Sequence, residues 1–325
     1  MLRLSLIARS CALAASLILV PAAPTWGRRG DRAIQTAPEM FGVETVSTRE
    51  NELNAAFSPD GKTVYFTRKA GDGGRFAVIL SSSRLSPARW SAPTVASFSG
   101  RYPDYDPMVS PDGSHLFFIS RRPIPGEPAR QDFDIWVVDR AGDGWSTPRN
   151  IGAPVNSQGD ELYPSVASDG TLYFSGCGRS DSRGRCDLYR ARFEGGHYLE
   201  PENLGDSVNT PASETDVFIA PDQSYLLFAG YGRADAIGDG DLYRSFSSNG
   251  HWSAPHPLGP AINTSAREYC PIVSPDGKYL YYTSQWGFQD APLARELSYP
   301  ELRDSLSGLR NGFGNIYRVP MADIR

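Results

Sequence analysis

A five-bladed, all-β propeller of four-stranded blades is the fold class this 325-residue sequence predicts, and three observations predict it. First, a turn block recurs five times: SPDGKTVYF (58–66), SPDGSHLFF (110–118), ASDGTLYF (167–174), APDQSYLLF (220–228) and SPDGKYLYY (274–282). Its aspartates, Asp60, Asp112, Asp169, Asp222 and Asp276, are 52, 57, 53 and 54 residues apart. Second, Pro-Asp-Gly is turn chemistry flanked by alternating apolar residues, which joins two strands as a hairpin. Third, each unit continues with the material for two further strands, the count of a propeller blade.

Residues 1–27 place Arg3 and Arg9 before an apolar run (11–20) and the small pair Ala22 and Ala23. That order is a secretory signal peptide, with a run too short for the roughly 20 residues of a spanning helix. The expectation is export to the periplasm or beyond, with no transmembrane segment after cleavage. Residues 28–37 read as a flexible lead-in and 38–325 as one propeller domain.

Within that domain the third strands are DIWVVDR (134–140), DLYRARF (187–193), DLYRSF (241–246) and NIYRVP (315–320). An aromatic (Trp145, Tyr198, Trp252) stands 11 residues after the start of each of the first three. Three residues later a proline opens a fourth segment: PRNIGAPVNS (148–157), PENLGDSVNT (201–210) and PHPLGPAINT (255–264). The last unit stops after its third strand, whereas residues 37–48 resemble a fourth segment without a blade. The N-terminal strand should therefore complete the last blade and close the ring, which removes the free edges. The 32 glycines and 26 prolines fall largely in these turns, so they signal tight connections and not disorder.

The order Glu-x-x-Pro, Ser-Pro-Asp-Gly, Tyr-Phe, Arg, Asp-Leu-Tyr, Trp-x-x-Pro, Asn-Leu-Gly, Val-Asn-Thr resembles the TolB-type, WD-like β-propeller repeat over residues 38–321. The resemblance implies the fold and an exported, envelope setting. It implies no single activity, because the family includes components of the Tol system, domains fused to peptidases and many exported proteins.

Cys177 and Cys186 flank a polar loop (178–185) between two apolar runs, a placement that suits a disulfide across a hairpin in an oxidising compartment. Cys270 is left over and reads as a buried small hydrophobe.

Candidate site residues fall on one propeller face. An acid stands six residues before each turn block: Glu52, Asp104, Glu161, Glu214 and Glu268. A second polar set follows two residues on: Asn54, Asp106, Tyr163, Asp216 and Cys270. Arginines close the second strands at Arg68, Arg121, Arg179 and Arg233, with Gln285 in the fifth unit. Repetition makes Glu52, Glu161, Glu214, Glu268 and these arginines a structural ring of ion pairs between blades. Departures from the repeat are the binding candidates: Asp104, Asp106, Tyr163, Asp216 and Cys270, together with Trp286. That tryptophan lies in an insertion (285–314) whose segment Pro300-Glu-Leu-Arg-Asp suggests a short helix ending at Gly312, in a plug or a lid. A second insertion, Pro-rich, occupies 121–133.

Four histidines lie away from the acids, so a Ser-His-Asp arrangement is not supported. No zinc spacing and no phosphate loop occurs, and no cofactor or metal is expected. GDGD (238–241) has oxygens for calcium, although Asp-Gly runs are commonly plain turns. A net charge of −5 argues against nucleic acid as a partner. The main expectation is an exported, monomeric, non-catalytic binding or scaffold protein whose face takes a protein, peptide or glycan in the cell envelope. The alternative is a carbohydrate-active hydrolase or lyase using channel carboxylates, with Asp106, Glu161 and Asp216 as its catalytic candidates.

Overall fold

Each turn block folds through its own side chains. Ser58 Oγ donates to Asp60 (2.6 Å), and Asp60 accepts the backbone N–H of Lys62 (3.0 Å). The pair Ser110 and Asp112 and the pair Ser274 and Asp276 repeat this. The glycine that follows needs a left-handed backbone, φ +65° at Gly61 and +74° at Gly113. In the fourth block Gln223 occupies that position with φ 58°. Its amide compensates by donating to Asp169 (2.8 Å) and accepting from the Tyr173 hydroxyl (2.9 Å) of the preceding blade.

The computed structural model describes residues 36–71, 76–128, 131–288, 290 and 292–324. The signal-peptide reading and most of the lead-in lie outside them. The five hairpins grow into five antiparallel sheets. From the channel outwards, blade 1 is Asn51–Phe57, Thr63–Lys69, Ala77–Ser86 and Thr94–Val95. Blade 2 is Asp104–Val109, His115–Ser120, Asp134–Ala141 and Arg149–Asn150. Blade 3 is Glu161–Val166, Leu172–Cys177, Cys186–Ala191 and Glu202–Asn203. Blade 4 is Ser213–Ile219, Tyr225–Tyr231, Asp241–Ser248 and His256–Pro257. Blade 5 is Glu268–Val273, Tyr279–Ser284, Asn315–Pro320 and, from the start of the domain, Glu39–Met40.

The predicted closure is present: Glu39 pairs with Arg318 and Met40 with Tyr317. In blades 2, 3 and 4 an asparagine ties the fourth segment to its third strand, and in blade 1 Ser99 does so, accepting from the Ile79 N–H (3.0 Å). Asn156, Asn209 and Asn263 accept from, and donate to, the backbone of Ile135, Leu188 and Leu242. Ser47 stands in for this asparagine in the closing blade, exchanging hydrogen bonds with Ile316. The aromatic that ends each turn block, Phe66, Phe118, Phe174, Phe228 and Tyr282, is buried between blades. Burial of rings of this size is the main stabilising term of the packed ring.

Cys177 and Cys186 are directly opposite one another on adjacent strands and form the disulfide. In the 285–314 insertion the helix runs Tyr299–Leu306, started by a Ser298/Glu301 capping box. It ends at Ser307 and not at Gly312, because Ser307 turns its N–H and hydroxyl back onto the Arg303 carbonyl. None of its residues is buried.

Candidate active site

The site is built on a break in strand geometry repeated five times. In every innermost strand a bulge separates the ring acid from the residues after it. The bulge residues are Asn54, Asp106, Tyr163, Asp216 and Cys270, with φ between 48° and 56°. Asn and Asp tolerate this left-handed conformation better than Tyr or Cys do, and strain of this kind gathers where a side chain must be re-aimed. Proline follows three of them (Pro107, Pro164, Pro271), which a bulge accommodates because no ladder hydrogen bond is required there.

Re-aimed in this way, the five side chains meet in the channel. Leu53, Tyr163 and Cys270 form a small buried apolar cluster that floors it, with Tyr105 and Tyr269 packed alongside. Asp106 and Asp216 are set into this floor and line an open depression of about 730 Å³. Burial pushes the Asp106 carboxyl up to about 8, and the neighbouring charge of Asp216 adds to the rise. The N–H of Tyr163 and the Asn54 side chain donate to it and oppose that rise. Burial also pushes Asp216 up, to about 6. It is held lower by the Thr215 hydroxyl, the N–H of Cys270, the Tyr231 hydroxyl (3.4 Å) and the charge of Arg267. Both carboxyls are thus raised, Asp106 further than Asp216, and an unequal pair of this kind is what general acid–base chemistry needs.

The ring acids are placed differently. All five are fully buried and spoken for. Glu161 accepts from the Ser157 N–H (3.0 Å), the Ser157 hydroxyl (2.5 Å) and Arg179 (3.0 Å). Glu52 with Thr48 and Arg68, and Glu214 with Thr210 and Arg233, repeat the arrangement. Glu268 has Thr264 and, in place of an arginine, the Ser284 hydroxyl (2.7 Å). Each acid and arginine belong to the same blade. The arginines of blades 2, 3 and 4 also donate to a carbonyl of the loop arriving from the blade before: Phe98, Val155 and Val208. The ring thus clamps incoming loops and does not pair acids with arginines across blades.

Four sequence assignments change here, those of Arg121, Asp104, Glu161 and Trp286. Arg122, not Arg121, pairs with Asp104 (2.6 Å), because Arg122 alone is aimed inward, over Phe118 and Trp136. Asp104 is also held by Ser99 (2.7 Å) and belongs to the clamp. Arg121 instead points to the depression, 4.0 Å over the Phe133 ring, which itself packs against Tyr105. Glu161 is absent from the lining of the depression, whereas Asp106 and Asp216 are both in it. Cys270 lines it and Tyr163 lies beneath it. Trp286 does not line it; its ring packs under Arg310 (4.4 Å), and the insertion is pinned by Asn311 to the Arg49 carbonyl (2.9 Å). No described residue of that insertion lines the depression.

The remaining wall was not singled out in the sequence: Lys69, Arg185, Arg267, Phe133, Tyr231 and Tyr269. They stand at blade positions whose residue type changes from one unit to the next, so a search for a repeated residue passes over them. The Asp-Gly run at 238–241 is a turn, in which Asp241 accepts the N–H groups of Ile237 and Gly238. Among the described residues no three His, Cys, Asp or Glu side chains group as a metal site would.

No family model and no curated protein matches this sequence. Solved structures do match the fold. One described as a glycoside hydrolase is 10% identical, with 87% of this sequence and 91% of its own covered and a TM-score of 0.56. An endo-arabinase from Bacteroides thetaiotaomicron is 15% identical (87% and 97% covered, TM-score 0.51). CoXyl43, a GH43 β-xylosidase/α-arabinofuranosidase from a compost metagenome, is 12% identical (87% and 94%, TM-score 0.50). At this identity the likeness establishes the five-bladed fold. It also corrects the expectation of a non-catalytic binding or scaffold protein. These three neighbours are carbohydrate-cleaving enzymes by their descriptions, which favours the alternative reading.

Proposed function

We propose that this protein is an exported carbohydrate-active enzyme that cleaves a glycosidic bond at the channel mouth. The observation that carries the proposal is the pair Asp106 and Asp216. The two carboxyls share one open depression, and their environments push their proton affinities apart. Asp106, protonated at neutral pH, donates its proton to the glycosidic oxygen as the bond to the anomeric carbon breaks. Asp216, ionised, takes a proton from the water that attacks that carbon, so one water is consumed and two sugar ends are released. The half-buried rings of Tyr105, Phe133, Tyr231 and Tyr269 supply flat apolar faces for the sugar. The N-terminal sequence and the Cys177–Cys186 disulfide support export to the periplasm or the medium, and the TolB-type repeat supports an envelope setting.

A glycan panel and chromogenic glycosides, assayed with the wild type, Asp106→Asn and Asp216→Asn, test the proposal. On the glycans, turnover that falls at least about 100-fold in both variants is the expected result; on the chromogenic glycosides, whose leaving groups need no proton, the large fall is expected in Asp216→Asn. Unchanged turnover in the variants, or none in the wild type on any glycan, overturns it. Reducing ends among the products identify a hydrolase; unsaturated, ultraviolet-absorbing ends identify a lyase.

A further inference from the structure

The chain carries a net charge of −5, yet four cations surround the depression: Lys69, Arg121, Arg185 and Arg267. They come from four different positions in the ring, at the end of a second strand in blades 1 and 2, before the third strand of blade 3 and before the innermost strand of blade 5. The acids facing them are Asp106, Asp160 and Asp216. Asp160 accepts the backbone N–H of Phe133 (2.8 Å), and Asp106 is buried in the floor. With Arg121, Arg185 and Arg267 exposed and the facing acids buried or half-buried, the rim of the mouth is a cationic collar on an acidic protein.

The arginines are also held for use. Arg121 lies 4.0 Å over Phe133 and Arg267 5.7 Å over Tyr231, so aromatic stacking orients each guanidinium. Arg121, Arg185 and Arg267 are solvent-exposed, and among the described residues none closes an ion pair with a carboxylate within 4.0 Å. By contrast, Arg122, Arg179 and Arg233 of the clamp are nearly buried and each is paired with its own ring acid. Stacked arginines with open donor edges match oxyanions that present two oxygens side by side, carboxylates and sulfates alike, through paired N–H groups. A neutral chain would meet the aromatic faces and leave the collar without a counterpart.

We infer that the ligand of this cleft is an anionic glycan, a chain carrying carboxylates or sulfates that the collar reads while the aromatic faces take its rings. The inference rests on the carbohydrate reading above and specifies its substrate class.

Binding is measured by calorimetry with Asp106→Asn, so that turnover does not interfere. The probes are polygalacturonate, the same polymer with its carboxylates methyl-esterified, and dextran beside dextran sulfate. Charge removal is expected to weaken binding about tenfold or more, as is salt raised to about 0.3 M. Arg121→Ala, Arg185→Ala and Arg267→Ala are each expected to weaken the charged probe about three- to tenfold and leave any binding of the neutral form unchanged. A preference for polygalacturonate over dextran sulfate assigns the anion to a uronate; the reverse assigns it to a sulfate ester, and either supports the inference. Equal binding of charged and neutral forms overturns it, even where Asp106-dependent turnover upholds the catalytic reading. Retained anionic binding without turnover on any glycan upholds it and sinks the catalytic reading. No binding of any probe by the wild type or the variant overturns it as well.

Discussion

The hydroxyl of Tyr163 donates to the carbonyl of Pro271 at 2.8 Å, joining blade 3 to blade 5 across the channel. This buried bond lies in the floor where Asp106 and Asp216 sit, and the raised proton affinity of both follows from their burial there. Tyr163→Phe keeps the ring and leaves the Pro271 carbonyl without its donor. The expected cost is about 1–3 kcal/mol in urea unfolding, with the fold retained. A larger effect on the pH dependence than on stability would show that water has entered the floor.

The pH dependence of turnover has a definite shape. Asp216 must be ionised and Asp106 protonated, so kcat/KM should rise through about pH 6 and fall through about pH 8. Asp106→Asn should lose the falling limb along with about 10²–10⁴-fold in rate on substrates whose leaving group needs a proton. Aryl glycosides with acidic leaving groups should be affected much less. A falling limb that persists in Asp106→Asn would assign it to another group.

The regular part of the molecule was legible because it is periodic. The turn block and the ring acids serve every blade and the asparagine staple three of them, and these copies make the pattern visible. The active floor was only partly legible. Asp106 and Asp216 showed as departures from the repeat, but strict alternation puts a residue two positions after a ring acid on the same face as that acid. The left-handed bulge breaks the alternation, and residue types alone do not announce it. The arginine assignment failed for a related reason. The distance from turn block to arginine drifts from 10 residues at Arg68 to 13 at Arg233, so spacing could not choose between Arg121 and Arg122.

That distinction is itself testable. Arg179→Ala leaves the fully buried Glu161 without its cation, a loss expected to cost about 3–5 kcal/mol. Arg121→Ala removes an exposed side chain stacked on Phe133 and should change stability by less than about 0.5 kcal/mol. Thermal or urea unfolding of the two variants side by side decides it, and equal losses would place both arginines in the clamp.

The buried carboxyls also couple pH to stability, with a sign opposite to that of a salt-bridged acid. Asp106 moves from an ordinary 3.8 to about 8 on folding, so between those values the folded state binds a proton that the unfolded state has released. Its contribution is fully present below about pH 4 and is lost as pH rises through 8. Asp216 acts in the same direction over the narrower window up to about 6. One such group gives a slope of about 1.4 kcal/mol per pH unit inside its window. Asp106→Asn has no proton to lose, so it should be more stable than the wild type at pH 8.5, by up to about 6 kcal/mol from that slope across the window, and the gain should vanish near pH 4. Urea midpoints measured across this range for both proteins check it. A constant difference at every pH would mean that Asp106 carries the same charge folded and unfolded, and that it is not the proton donor.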